Sequence, residues 1–412
     1  MSVFDKQALK LLQANTREKA GHVYTVPSPE NYPFQWLWDS CFHATVLSHF
    51  DTKRAKGELW SLISKQFKNG LLPHMIYWDK AKPFGTLLTD IKWGHDGTST
   101  ITQPPIIAET VLRIYQKDAD LEFVTSIYPN LKLFYQYLLL ERDSRGNHLI
   151  GIINPDESGE DNSSRFDIPL KLPVIQSAQQ NLNQRLSLVE KNKICKFNAP
   201  LCMKNFFWVK DLPFNCYMVK NLNSMSTLAK ILKLDQDSAV FKGQAKLIAE
   251  AMKKYMSEDS LYWSVYDPDP LDDKIVSYKK IKVLTWAIFA PLYANLLTQK
   301  EAENLIDDHL LNKKEFWLSY PVPTVSFSDP SFDPEGFWRG PTWMNTNWFI
   351  FQGLLTYGFE DLARELYKIS KFMVEGQVFR EQYNPLTGAG QGAKNFTWGT
   401  LVVDMEQSLK AQ

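Results

Sequence analysis

No run of the 412-residue chain reaches the ~18 consecutive apolar residues of a membrane span. The N-terminal stretch MSVFDKQALKLLQANTREKAG carries charges throughout and lacks the apolar core of a signal peptide. Both absences point away from a membrane and toward the cytoplasm. A charge excess is missing too: 46 basic and 46 acidic side chains balance. That argues against nucleic acid or a polybasic membrane contact, which require a positive surface. Cysteine is scarce. Cys41, Cys195, Cys202 and Cys216 fit neither a zinc site nor a redox pair, and four in 412 residues build no disulfide scaffold. Cys41 lies in an apolar helical pattern and reads as a buried thiol. The seven histidines form no HExxH and no G-x-S-x-G elbow occurs, so zinc proteases and serine hydrolases lack their signatures. TGAGQGA sets Gly388, Gly390, Gly392 and Ala393 on the dinucleotide pattern G-x-G-x-x-A. No strand of a βαβ unit precedes it, so no cofactor is expected and a turn that lets backbone approach a ligand is preferred.

Aromatic residues are abundant: 13 Trp, 17 Tyr and 25 Phe. Buried Trp needs a partner for its N–H, and flat apolar faces in loops suit sugars. Helical periodicity dominates, with little strand pattern. Helices are expected near 3–20, 38–50, 53–67, 103–117, 119–142, 213–233, 236–256, 279–296, 298–311, 342–357, 359–375 and 397–411. Their connections alternate long and short. A short link forces antiparallel neighbours, so alternation places every long loop at one end. Twelve helices in six hairpins suit an all-α (α/α)6 toroid with one loop-built face, the whole of 1–412 forming one catalytic domain. The 143–212 connection is an insertion and a candidate lid, and QSAQQNLNQRLSLVEKNK within it can form an extra helix over a pocket.

Long loops of this kind are functional more often than not, and these hold the unusual residues. NPDESGEDNSSRFD alone gathers Asp156, Glu157, Glu160, Asp161 and Asp167. Locally it fits a solvated loop, a metal cage or a catalytic acid with its neighbours. Aromatic walls with several acids are what glycosidic cleavage needs, because one carboxylic acid protonates the leaving oxygen and a second attacks or activates water. The loops offer Asp39, Asp96, Asp161, Asp333, Glu335 and Glu381 for these roles. DPDPLDD offers Asp267, Asp269, Asp272 and Asp273 to calcium, although a solvated turn is the preferred reading and no metal is expected.

FQWLWDSCFHA, ESGEDNS, GFWRGPTWMNTNW and EQYNPLTG, in that order, resemble glycoside hydrolase family 63. YTVPSPENYPFQWLWD resembles its bacterial mannosylglycerate and glucosylglycerate hydrolases in particular, and the resemblance runs from Tyr24 to Trp398. It implies the (α/α)6 fold and inversion at the anomeric carbon. It implies a general acid at Asp161 and a general base at Glu381, which stand on loops facing each other around the ring. It implies sugar contacts from Tyr32, Trp36, Trp38, Asp39 and His74, and an aromatic wall of Phe337, Trp338 and Trp343. The family usually has Tyr at position 337, so one phenolic hydrogen bond is lost here. Arg339 either clamps a substrate carboxylate or, as preferred, pairs with a loop acid. Glu157 and Glu160 either tune Asp161 or only keep the loop in water. The expected partner is a small sugar, best mannosylglycerate or glucosylglycerate. Neutral disaccharides, or a non-catalytic sugar-binding toroid, are the rival readings. Oligomeric state stays open, with a homodimer among the options.

Overall fold

Two kinds of helix alternate along the chain in the computed structural model, which describes residues 1–78, 93–268 and 277–411. The first kind is buried nearly all round: α2 (Leu37–Leu47) has no exposed residue, and α7 (Leu212–Ile231) and α11 (Met344–Thr356) are apolar on most faces. With α4 (Ile107–Asp118), α9 (Ala290–Tyr293) and α13 (Leu401–Lys410) they form the inner ring. Each packs on the next in chain order, and α13 returns to α2, which closes the toroid. The second kind buries one stripe and exposes the rest, as amphipathic surface helices do. These are α1 (Val3–Ala14), α3 (Thr52–Ile63), α5 (Leu121–Glu141), α8 (Asp235–Tyr255), α10 (Gln299–Leu305) and α12 (Glu360–Glu375). Short links join inner to outer helices, and an N-cap marks the restart. Asp51 accepts from the Arg54 N–H and Asp120 from the Phe123 N–H, each satisfying a donor that the first turn leaves free.

Among the described residues the twelve expected helices make up the double ring in the expected order, with two differences, and three further helices lie in the third connection. The first helix stops at Ala14, and residues expected to extend it form the hairpin Thr16–Lys19/His22–Thr25, turned through Ala20 and Gly21 at positive φ. The eighth is mostly not helical. It begins as the strand Lys279–Lys280, paired with Val265–Tyr266, and becomes helical only from the 3-10 turn Trp286–Phe289 into α9. Short apolar runs do not separate strand from helix. Small two- and three-stranded sheets pin the long connections; Gln35–Trp36 against Met75–Ile76 ties the first to the second.

The third connection contains the extra helix, α6 (Ala178–Ile194), begun by a capping box between Ser177 and Gln180. Beyond it the cysteines, too few for a disulfide scaffold, supply one link. A turn through Lys196 and Phe197, both at positive φ, brings Cys195 and Cys202 to a Cα separation of 5.8 Å, and they form a disulfide. Cys41 and Cys216 are buried thiols. Among the described residues no helix is long and apolar enough to cross a membrane.

Candidate active site

The long connections gather over one end of the ring around a cavity of about 260 Å³. Tyr32 and Trp36 come from the first connection, with Trp38 and Asp39 from the start of α2. His74 and Gln103 come from the second, and Asp156, Asp161, Leu182 and Arg185 from the third. Phe337, Trp338 and Trp343 belong to the fifth, and Glu381, Phe396 and Trp398 to the sixth. Every residue the family resemblance put in the site therefore faces one space. The fourth connection, expected to contribute, supplies none of its described residues. Asp96, Asp333 and Glu335 line no part of the cavity. Of the calcium candidates, Asp267 pairs with Arg145, and Asp269, Asp272 and Asp273 lie outside the described residues.

The acidic loop is built by division of labour among its carboxylates. Asn154 accepts from the Asp156 N–H, Pro155 opens a 3-10 turn, and Gly159 ends it at φ +76°. A Cβ at Gly159 would stand 2.4 Å from the Trp38 ring, so only glycine lets the loop lie on that indole. Glu157 points into the protein. It takes two 2.6 Å bonds from Arg142 and one each from the N–H groups of Thr102 and Ile153. Glu160 is held by Arg165 and by the Trp286 N–H at 2.8 Å. Neither reading offered for these two glutamates holds: they do not tune Asp161 and they do not solvate the loop, but anchor it to the core. The acid that does press on Asp161 is Asp156, which with Asp161 shares Arg185 from α6.

Asp161 and Glu381 both sit above the ordinary carboxylate range. Burial pushes Asp161 up to about 6; Arg185 opposes the rise and Asp156 adds to it. Burial also raises Glu381, against the Tyr32 hydroxyl and the Ala393 N–H, while Asp161 pushes the same way as burial. Tyr32 donates to Glu381 Oε1 at 2.6 Å and the Ala393 N–H to Oε2 at 2.7 Å. These bonds fix the carboxylate plane. The backbone behind it is a hairpin, Gln382–Tyr383 against Gly390–Gln391, turned by Asn384, Pro385 and Gly388. TGAGQGA is thus one arm of a hairpin that carries an acid. Gly392, at φ +66°, leaves no room for a side chain, since a Cβ would lie 2.3 Å from Glu381 Oε2. Gly392→Ala is expected to cost about 10²-fold in kcat by displacing that carboxylate, with circular dichroism unchanged; an unchanged kcat would show that Glu381 tolerates the shift.

The walls are aromatic and internally bonded. Trp338 and Trp343 stack at 3.8 Å, and the Trp343 N–H donates to the Phe337 carbonyl at 3.0 Å. Asn162 accepts from the Trp338 N–H and donates to the Gly336 carbonyl, so the acidic loop and the aromatic wall are one assembly. Arg339 braces it further with two 2.9 Å bonds to Asp167, the protein pairing preferred for it. Asp39 is buried and pushed up to about 7, opposed by the Trp398 N–H, which donates to it at 2.6 Å. Burial holds His74 down to about 4, hence neutral, with its Nδ1 on Ser99 Oγ at 2.6 Å. Trp348, by contrast, lies in the core and donates to Asp404.

A model of the mannosylglycerate hydrolase MGH1-like glycoside hydrolase domain matches residues 32–399. The chain belongs to this family. It is 31% identical to a mannosylglycerate hydrolase of Thermus thermophilus, over 96% of this chain and 98% of that one. It is 27% identical to a glucosylglycerate hydrolase of Mycolicibacterium hassiacum, over 92% and 93%. The crystal structure of a family 63 mannosylglycerate hydrolase from a second strain of Thermus thermophilus, in complex with Tris and D-glycerate, matches with a TM-score of 0.87 at 30% identity. That match covers 98% of this chain and all (100%) of the other. This member of the family is a glycoside hydrolase, and its toroid is that of the family.

Sequence reasoning missed Arg185, Asp156, Gln103 and Trp398. Trp398 closes the sixth loop's NFTW and could have been weighed as Asp39's partner. Arg185 had no signal: it sits in a polar helix, 24 positions beyond the acid it contacts.

Proposed function

We propose that this hydrolase cleaves an α-mannoside or α-glucoside of glycerate with inversion, in a single displacement. The Asp161 carboxyl gives its proton to the glycosidic oxygen as the carbon–oxygen bond breaks and its electron pair moves to that oxygen. A water attacks the anomeric carbon from the opposite face, and Glu381 takes the water's proton. The cycle leaves Asp161 ionised and Glu381 protonated, and solvent resets both. An inverting pair stands about 6.5–9.5 Å apart to admit the water. Trp36, Trp38, Trp338 and Trp343 stack on the sugar, Asp39 and His74 take its hydroxyls, and Tyr32 orients the base. The observation that carries the reading is one cavity holding two raised carboxylates on facing loops together with Arg185. Among the described residues that line the cavity His74 is neutral, which leaves Arg185 as the cation for an acidic aglycone. The glycerate glycosides on which the related hydrolases act support the same choice.

In this reading 1–412 acts as one catalytic unit with the 143–212 insertion as its lid. We place it in the cytoplasm, where the Cys195–Cys202 link is open to reduction; thiol counting on freshly extracted protein gives two thiols if the link persists there and four if it is reduced. A substrate panel tests the whole reading: α-mannosides and α-glucosides with glycerate or with glycerol as aglycone. Glycerate substrates should lead in kcat/KM, and turnover of neutral disaccharides alone would sink the choice.

Protonated Asp161 and ionised Glu381 give a bell-shaped pH profile. Its alkaline limb, in kcat/KM, falls near 6 as Asp161 loses its proton. Tyr32→Phe removes a donor that favours ionised Glu381. The acidic limb should then move to higher pH while the alkaline limb stays; a stationary acidic limb would deny Tyr32 this role.

A further inference from the structure

Arg185 stands on α6, in the insertion, and touches two carboxylates. Its Nη2 bonds Asp156 Oδ1 at 2.9 Å and also contacts Asp161 Oδ2. The two acids are not equivalent partners. The Asp161 side chain keeps 19% of its surface open, against 10% for Asp156. Asp156 is further fixed at the base of its turn, where its N–H donates to Asn154 at 3.0 Å. The guanidinium is not saturated either, since its Nε is buried with no hydrogen-bond partner. A planar guanidinium prefers two parallel bonds to one carboxylate over single bonds to two.

We propose that an anionic aglycone takes Arg185 away from Asp161 while Asp156 keeps the arginine anchored, so that docking of the leaving group itself arms the acid. The inference rests on the substrate class proposed above. In the free enzyme the Arg185 charge favours ionised Asp161, which cannot donate a proton. A substrate carboxylate pairing with Arg185 cancels that charge and places a second negative group nearby, and both changes favour the protonated form. Among the described residues, the other groups that face Asp161 are Asp156 and the Asn162 N–H on its own loop, with Glu381 and Tyr32 from the facing loops. None of these changes partner in the exchange. A neutral aglycone leaves the ion pair intact and the acid unarmed, so selectivity for acidic aglycones appears in kcat as well as in KM.

The test is a carboxyl carbon-13 NMR titration of the full-length enzyme, with Asp161 assigned by its loss in Asp161→Asn. Saturating D-glycerate is expected to raise the Asp161 midpoint by about one pH unit or more, a tenfold change in proton affinity, and glycerol to leave it in place. In Arg185→Met the midpoint should already be raised and D-glycerate should add nothing, whereas Arg185→Lys should return it toward the wild-type value. If Arg185→Met does not fold, the wild-type titration alone decides. An Asp161 midpoint indifferent to D-glycerate, or moved equally by glycerol, overturns the exchange. Turnover is measured alongside, so the two failures separate. Hydrolysis of glycerate substrates without the shift sinks the exchange alone. The shift without hydrolysis of any glycerate substrate sinks the substrate reading and supports the exchange.

Discussion

Asp161→Asn and Glu381→Gln should each lower kcat on a glycerate glycoside by about 10³-fold, within the range that general acid–base catalysis contributes, while sugar binding persists. The two losses should differ in kind. Asp161 donates to the leaving oxygen, so an aglycone that departs as a stable anion, such as a dinitrophenolate, should recover most of the rate of Asp161→Asn. Glu381 acts on the attacking water, and Glu381→Gln should stay slow whatever the aglycone. Both carboxyls are raised chiefly by burial. The amide isosteres keep the volume and remove the charge, so neither variant should lose stability. Equal rescue of both variants by the activated aglycone would reverse or void the assignment.

Arg142→Met is expected to cost about 3–5 kcal/mol of stability, because it strands the Glu157 carboxylate in the core. Arg142 and Glu157 are both almost wholly buried and joined by two bonds of 2.6 Å. The same glutamate also accepts from the N–H groups of Thr102 and Ile153, which link the second and third connections. The melting temperature should fall by about 3–6 °C, and activity should fall further than folding explains, because Asp156 and Asp161 ride on this anchor. Adding Glu157→Gln to the variant should recover part of the loss by removing the stranded charge. The exposed Lys246–Glu250 pair on α8 gives the contrast, since breaking it should change stability by less than about 0.5 kcal/mol. A melting temperature equal to that of the parent would show that the buried pair does not hold the loop.

These two cases also mark what the sequence could convey. The alternation of short and long links fixes which helices are neighbours, and the closed inner ring follows from it. The strand at Lys279–Lys280 escaped because its apolar spacing suits a strand or a helix equally. In NPDESGEDNSSRFD the residue types are nearly alike, and composition cannot sort acids that face a cavity from acids that face arginines. Glu157 finds its partner 15 positions upstream and Glu160 finds one 5 positions downstream, so only the folded chain divides them. Asp161 was singled out through the family motif, not by local physics. Arg185 lay beyond both: it falls outside the motifs that carry the resemblance, and nothing in a polar helix announces which residue turns inward. The Cys195–Cys202 link depends on a left-handed turn at Lys196 and Phe197 that neither residue type favours.

The central claim is a single displacement with Asp161 and Glu381 acting from opposite sides of the bond. Proton NMR of the sugar first released from α-mannosylglycerate or α-glucosylglycerate tests it most directly. The account predicts the β-anomer at early times, drifting afterwards to the mutarotation equilibrium; the α-anomer appearing first would contradict it.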